Sequence, residues 1–446
     1  MRTRIELLDN FPARWVFWWV LMPNLALIAM WFVGGPNMTS RIIMAGVAAL
    51  VFGSMPNRLV RTAGIVAIFA FLLISYFSRV FYLTVDKAFT SLVYLGEMNL
   101  SASPSYVVGG AVLALAFGLC LWFAPRTERP RGFRQFLLAF VCVALLAQAD
   151  ERFNSADRGG YMVKAPEGTP IESAMLTTAI SPETLGTRNL VVIILESVGV
   201  PANDHDRAIF DAIWNADKWA PHYTASYGEV PFYGSTTNAE IRELCEAWDD
   251  PTRFDFDSAN CVPHRFAQAG FETTALHGFT PEFFDRRDWY PRVGFENVQF
   301  GPDLVREGAQ LCDGVFTGVC DREFPREIAA ILGREPQKRK LVYWLTLSGH
   351  LPVDDNASMQ LGTCNLGTPE WREAFPMLCR SYMLQRQIAD ALREEIDSPG
   401  FADTDVLIVG DHIPPFFQRS IRSRFKTGLV PFIYLRRQQD VAGPAA

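Results

Sequence analysis

The stretch Asn189-Leu-Val-Val-Ile-Ile-Leu-Glu-Ser-Val-Gly199 decides the fold. Its unbroken apolar run, mostly β-branched, has the composition of a strand buried on both faces of a parallel sheet. The run stops at an acid, Glu196. In an open α/β sheet, ligands gather just beyond the carboxyl ends of the strands, so a carboxylate there is a natural first ligand for a metal ion. The stretch Asp405-Val-Leu-Ile-Val-Gly-Asp411-His412 repeats the grammar, a short apolar strand followed by an acid and an imidazole. That pair of donors suits Zn2+ or Mn2+. The two strand ends are expected to meet over one divalent ion.

Working outward, apolar strands alternate with helical segments from Arg188 onward. A strand near 272–276 ends at His277-Gly278, and another near 340–347 ends at Ser348-Gly349-His350. Helical patterns fall at 206–219, 238–248, 263–269, 324–332 and 371–396. A strand followed by a polar residue recurs at Glu196, His277, His350 and Asp411. This predicts a doubly wound, mostly parallel sheet with a site along one edge. His205, His222 and His264 have no such context and are expected at the surface.

At Gly234-Ser-Thr-Thr-Asn-Ala-Glu240 a glycine-containing loop runs into a helix start. A hydroxyl there can approach a phosphate, because the backbone N–H groups and the helix dipole favour an anion. With a metal on its oxygen, Thr236 becomes a competent nucleophile at neutral pH. The commoner role of Ser235, Thr236 or Thr237 is a helix N-cap. Arg286, after Phe283-Phe284, has the geometry to clamp a phosphate, although a solvated Arg286-Arg287 pair is the more ordinary outcome. Arg422, Arg424 and Lys426 form a basic cluster facing either anionic headgroups or solvent.

The 446 residues suffice for two or three domains, and 49% of them are hydrophobic. The excess is confined to the first third. Residues 1–149 predict a transmembrane domain of five spans, at 15–33, 42–55, 59–77, 106–123 and 133–147. One apolar stretch follows another, as in a polytopic protein rather than one with a cleaved leader. Arg2, Arg4 and Arg14 precede the first span, Arg58 and Arg61 lie around the turn after the second, and Arg126, Arg129, Arg131 and Arg134 precede the fifth. Alternate loops are therefore basic and cytoplasmic, with Arg41 the exception, and the chain after about Asp150 is extracytoplasmic. Residues 79–104 predict an interfacial helix or a plain structured loop, 150–187 a linker, and 188–446 the globular domain. A net charge of −7 does not favour a nucleic-acid partner.

Of the eight cysteines, Cys245, Cys261, Cys312, Cys320, Cys364 and Cys379 lie in this globular domain. In an oxidising compartment an even number implies disulfides, and three pairs of near neighbours are the simplest pattern, though sequence does not fix connectivity. A zinc cluster fails for want of a C-x-x-C pair. Cys120 and Cys142 fall in spans as apolar fillers. Cys261-Val-Pro-His-Arg265 fits C-x-P-x-R, the short motif in which an arylsulfatase cysteine becomes formylglycine. It stands well past the Gly234 loop, however, and Glu196 is followed by serine rather than by a second acid.

Together these residues resemble the alkaline phosphatase superfamily, and most nearly its membrane-bound sulfatase-like members, the lipoteichoic acid synthases and lipid A phosphoethanolamine transferases. The resemblance covers nearly the whole chain: five spans, then an extracytoplasmic α/β sulfatase-like domain. It rests on Leu-Glu196-Ser, Gly-Ser-Thr236-Thr-Asn-Ala-Glu, His277-Gly through Phe-Phe-Asp-Arg286, Ser-Gly-His350-Leu-Pro and Gly-Asp411-His412. It implies one Mn2+ or Zn2+ held by Glu196, Thr236, Asp411 and His412, with Thr236 as nucleophile. His277, Phe284, Arg286 and His350 would bind substrate, Phe284 standing where the synthases have tryptophan.

The resemblance further implies a phospholipid donor, an envelope glycan or lipid acceptor, and a multi-pass protein of the cytoplasmic membrane with a periplasmic domain. The pairs Cys312–Cys320 and Cys364–Cys379 echo the ethanolamine enzymes. The Thr236 loop with Glu240 looks more like the glycerol-phosphate enzymes. No histidine follows His412, so a full second zinc site is missing. The donor headgroup stays open between glycerol and ethanolamine. Two rivals stand beside a transferase: an extracytoplasmic phosphodiesterase or sulfatase, and a non-catalytic membrane protein that binds or regulates.

Overall fold

β1 (Asn189–Leu195) lies at the centre of a seven-stranded sheet. It is flanked by β7 (Lys340–Leu345) and β8 (Thr404–Gly410), both parallel to it. These are the three most continuously apolar runs of the domain, and all are buried almost throughout. In a computed structural model the described residues are 13–32, 35–80, 96, 98–101, 104–154, 163–220, 222–398, 401, 403–416 and 418–438. The sheet order is β2-β9-β8-β1-β7-β3-β4. β3 (Glu272–His277) and β4 (Asn297–Phe300) extend the parallel set, while β9 (Leu429–Arg437) and β2 (Tyr223–Pro231) close the other edge antiparallel. The mostly parallel sheet is as expected from the sequence. The register puts Leu195 opposite Gly410 and His277 opposite Leu345, so the polar residues that end these strands emerge along one edge. β5 (Leu311–Asp313) and β6 (Thr317–Val319) form a separate hairpin.

The chain folds as two compact units. One comprises residues 1–92, 104–157 and 417–419, the other 93–103, 158–416 and 420–446. The second unit starts earlier than the expected linker end. Ala174, Met175, Ile180 and Leu185 belong to its core, so the later half of 150–187 is folded domain rather than spacer. The expected helix at 371–396 is two helices, Pro369–Ala374 and Pro376–Glu395, because Pro376 cannot continue the first. Three disulfides, Cys245–Cys261, Cys312–Cys320 and Cys364–Cys379, join the near neighbours.

In the first unit, three described helices are long and apolar enough to cross a membrane: Arg58–Val80, Pro104–Phe123 and Gly132–Phe153. Helix Thr39–Ser54 has 16 residues, short of the ~20 a span needs. The expected first span is broken. Its helical pieces Ala13–Val16, Phe17–Leu21 and Leu25–Met30 are interrupted at the turn containing Pro23, which has no N–H to give and no room for the preceding turn. A buried clasp joins two of the helices. Asp150 accepts hydrogen bonds from Trp31 Nε1 (3.0 Å) and from the N–H of Met38 (2.7 Å), at the start of helix Thr39–Ser54. The interfacial helix expected within 79–104 falls almost wholly outside the described residues.

Candidate metal and phosphoryl-transfer site

Glu196 follows β1 directly, and Asp411 and His412 follow β8. Because those strands are paired neighbours, their ends bring the three side chains together, with ligand atoms within 4.8 Å of one another. All three are buried, at 4%, 1% and 3% exposure. The backbone locks the arrangement. The N–H groups of Ser197 (2.8 Å) and His412 (2.5 Å) both donate to Asp411 Oδ1. Ser197 takes φ +59°, a strained value for a residue other than glycine that turns the chain at the strand end. Gly349 lets the next loop approach: a Cβ there would sit 2.3 Å from the Glu196 carbonyl oxygen.

The loop that leads into helix Thr236–Cys245 supplies the fourth group. Gly234, at φ +83°, makes a turn in which any Cβ would collide with Asn238. Ser235 is the N-cap residue of helix Thr236–Cys245, and its N–H donates to Asn238 Oδ1 (2.9 Å). Thr236 is therefore not the cap. Its Oγ1 stands 3.0 Å from Glu196 Oε2, 3.0 Å from Asp411 Oδ2 and 3.4 Å from His412 Nε2.

The electrostatics of this cluster call for a cation. Burial drives the Asp411 carboxyl well above its usual range, and the charge of Glu196 adds to the effect. Burial works to raise Glu196, but the attraction of His350 and His412 and the hydrogen bonds with Ser197 and Asp411 together hold that carboxyl below its ordinary value. Burial lowers His412 below the usual imidazole range, against the opposing pull of Glu196. His412 Nδ1 faces the Ile413 carbonyl oxygen at 3.0 Å, so the proton belongs there. Its Nε2 lone pair then faces Asp411 Oδ2 at 3.3 Å and Glu196 Oε1 at 3.6 Å. Two carboxylates, a hydroxyl oxygen and an imidazole lone pair aimed at one point are mutually repulsive without positive charge between them. The donor set fits one Zn2+ or Mn2+.

The expected substrate residues divide. His350 is half-buried beside the cluster, with Nδ1 on the Leu347 carbonyl (2.8 Å) and Nε2 3.6 Å from Glu196 Oε2. Its ring meets Phe316 edge-on at 5.0 Å. Phe316 continues into Phe279 and Phe283, an aromatic wall that the sequence pattern does not reveal. Phe284 is partly buried against Phe283 at φ +56°, and Asp285 follows at φ +55°. His277 lies buried at the end of β3, with Nδ1 3.3 Å from the Leu345 carbonyl oxygen.

Arg286 differs from expectation. It is fully buried and points inward, donating from Nε (3.1 Å) and Nη2 (2.8 Å) to Glu240 Oε2. Arg287 is exposed and paired with Glu282. The basic cluster is not a surface patch either. Arg422 is buried and donates to the Phe416 carbonyl, Arg424 is bidentate on Asp206, and Lys426 pairs with Glu229. Cys261 is buried in its disulfide, so it offers no thiol to oxidise.

The sequence gives no sign of Asp321, whose carboxylate accepts the N–H groups of Leu347 (3.0 Å) and Ser348 (2.8 Å) and fixes the loop leading to His350. Two further buried charges on the Thr236 helix are equally invisible in it. Arg242 donates to the Gly410 carbonyl (2.9 Å), and Glu243 accepts from the N–H groups of Ala174 (3.2 Å) and Met175 (3.1 Å).

No protein-family profile matches the sequence, and no curated protein matches it. Among solved structures, the chain is similar to the lipoteichoic acid synthase LtaP from Listeria monocytogenes, with TM-score 0.44 and 16% identity over 59% of this chain and 68% of that one. It is also similar to the phosphoglycerol transferase GacH from Streptococcus pyogenes in complex with sn-glycerol-1-phosphate, with TM-score 0.39 and 16% identity over 56% and 69%. A third is the zinc complex of the C-terminal periplasmic domain of EptC from Escherichia coli, with TM-score 0.39 and 14% identity over 56% and 73%. The chain is similar, too, to a protein in the alkaline phosphatase superfamily from Vibrio parahaemolyticus, with TM-score 0.41 and 14% identity over 56% of this chain and 60% of that one.

Proposed function

We propose that this chain is a metal-dependent phosphotransferase that moves a phosphoglycerol or phosphoethanolamine group from a membrane phospholipid to an envelope glycan or lipid, by way of a phosphothreonine. The observation that carries the reading is Thr236 Oγ1. It is a hydroxyl in the first turn of a helix, 3.0 Å from two carboxylates that end neighbouring strands. Thr236 Oγ1 forms the new bond to phosphorus as the bond to the diacylglycerol oxygen breaks. Its proton passes to Glu196 Oε2, 3.0 Å away, and ends on the departing diacylglycerol oxygen. An acceptor hydroxyl then attacks the phosphothreonine, and its proton ends on Thr236 Oγ1 as the phosphorus–Thr236 bond breaks.

Glu196, Thr236, Asp411 and His412 would hold one Mn2+ or Zn2+, which when bound supplies Lewis-acid charge that lowers the hydroxyl pKa and offsets charge on the phosphoryl oxygens. His350, beside Glu196 and open to one side, is the group for the phosphoryl oxygens. His277 and Phe284 line the segment behind it. The donor accounts for the apolar helices, since an anchored domain meets its lipid at high effective concentration. In this reading the chain is a multi-pass protein of the cytoplasmic membrane with its globular unit on the periplasmic side. A sulfatase reading through Cys261 is disfavoured by the Cys245–Cys261 disulfide.

The test is diacylglycerol release from phosphatidylglycerol and from phosphatidylethanolamine in mixed micelles, with peptide mapping of Thr236. Wild type should release diacylglycerol from one lipid and carry its headgroup phosphate on Thr236, and Thr236→Ala should do neither. A Thr236→Ala variant that still turns over either lipid would overturn the reading. Release with the headgroup passing only to water would favour the phosphodiesterase.

A further inference from the structure

The helix that begins at Thr236 carries Glu240 one turn later, fully buried beneath the site. Its carboxylate is saturated with donors. Arg286 reaches Oε2 through both Nε and Nη2, while the hydroxyls of Tyr290 (2.5 Å) and Tyr343 (2.9 Å) donate to Oε1. The donors come from separate parts of the fold. Tyr343 lies on β7, two residues before the strand end and the loop to His350. Arg286 opens helix Arg286–Val293, which also carries Tyr290, and its Nη1 donates to the Phe283 carbonyl oxygen (3.1 Å). That bond spans the left-handed pair Phe284 and Asp285.

We propose that Arg286 and Glu240 form a positioning brace that fixes Thr236 against Glu196 and Asp411, rather than Arg286 acting as a phosphate clamp. Three geometric facts carry this. The guanidinium is closed off from solvent, two of its three nitrogens donate to Glu240 and the third to the Phe283 carbonyl oxygen, and Glu240 sits at i+4 from Thr236, on the same helix face. A rigid, fully satisfied ionic network under a helix start sets the height and rotation of the first turn. That turn places the Thr236 oxygen. The inference rests on Thr236 being the reacting group, as proposed above.

The experiment uses the full-length protein in detergent micelles. Tyr343→Phe removes one hydrogen bond from Glu240 with little change in volume. Glu240→Gln removes the charge, and Arg286→Lys keeps the charge but loses the fork. Each is measured for diacylglycerol release from phosphatidylglycerol and phosphatidylethanolamine, for Mn2+ affinity by titration calorimetry, and for thermal unfolding.

A brace predicts that Glu240→Gln and Arg286→Lys lower kcat about ten- to a hundredfold with KM nearly unchanged, since a small misplacement of a reacting atom has that effect. Tyr343→Phe should lie between them and wild type. The Glu240→Gln/Arg286→Lys double variant should be no worse than the poorer single one. Mn2+ affinity of Glu240→Gln should fall as far as that of Thr236→Ala, and the two changes combined should cause no further fall.

A raised KM in Arg286→Lys with a normal Glu240→Gln would make Arg286 a phosphate ligand and overturn the brace. Lowered melting temperatures with wild-type kcat would make the network merely structural, also against it. A wild type inactive on both lipids would instead sink the function. The brace is then decided by Mn2+ alone, and Glu240→Gln binding Mn2+ like wild type overturns it.

Discussion

Thr236 Oγ1 lies 3.0 Å from Asp411 Oδ2 across 175 residues of sequence. The same oxygen is 3.0 Å from Glu196 Oε2, and one hydroxyl proton cannot serve both. The second contact needs a proton on Asp411 or a cation among the oxygens. Burial and the charge of Glu196 raise the Asp411 pKa, so the charged carboxylate is disfavoured in the metal-free protein, a cost that a divalent ion would remove.

Metal should therefore stabilise the wild-type fold, by about 2.7 kcal/mol at a hundredfold excess over Kd. Asp411→Asn should lose that gain while melting close to wild type in EDTA, because the amide replaces a carboxyl whose charged form burial already disfavours. Thermal unfolding with EDTA, Mn2+ and Zn2+ checks this. A wild-type melting temperature indifferent to all three would remove the metal site.

Replacing both Cys245 and Cys261 by alanine should cost about 2–4 kcal/mol, as for other short disulfide loops. Neither cysteine is among the groups proposed for catalysis, so kcat should stay near wild type below the new melting temperature. Denaturant unfolding and lipid turnover measured side by side decide it. A folded Cys261→Ala protein that is catalytically dead would return the cysteine to the chemistry.

Asp321 sets a pH dependence of stability. Burial lifts its pKa to about 6 from 3.8, against the pull of the Ser348 and Leu347 N–H groups. A carboxyl whose pKa is raised in the folded state favours folding in its protonated form. Its contribution is fully present below about pH 4 and is lost as pH rises through 6. The separation of about two pH units corresponds to ~3 kcal/mol at most. Asp321→Asn should flatten the stability profile between pH 4 and 6. Urea midpoints across that range that fall in parallel for wild type and variant would refute the assignment.

What the sequence discloses follows burial. β1 and β8 are apolar from end to end because both their faces are covered, and their terminal acids stand out against that background. β2 reads as a loop because Tyr223-Thr-Ala-Ser-Tyr-Gly-Glu-Val-Pro231 is an edge strand, polar and partly exposed, with a glycine inside. Pro431 similarly obscures β9. The Glu196–Asp411–His412 cluster is legible because its members follow directly on the ends of β1 and β8. The Arg286–Glu240 pair is not. Forty-six residues separate them, and a buried ion pair looks the same in sequence as two solvated charges. The first span misleads because its mean apolarity hides Pro23.

The side of the membrane rests on the helix Gly132–Phe153. Before it lies the loop with Arg126, Arg129 and Arg131, and after it the chain continues to Pro182 in the soluble unit. A single crossing by this helix puts the two positions on opposite sides, whether the chain crosses three times or five. Cationic residues are retained on the cytoplasmic side, so Arg129 should be inside and Pro182 outside. The disulfides of the soluble domain require the same oxidising side. Reporter fusions at Arg129 and at Pro182 measure it. Opposite signals, with Pro182 extracytoplasmic, are expected. Signals from one side would mean that Gly132–Phe153 does not cross, and would separate the catalytic domain from the lipid leaflet proposed as its donor.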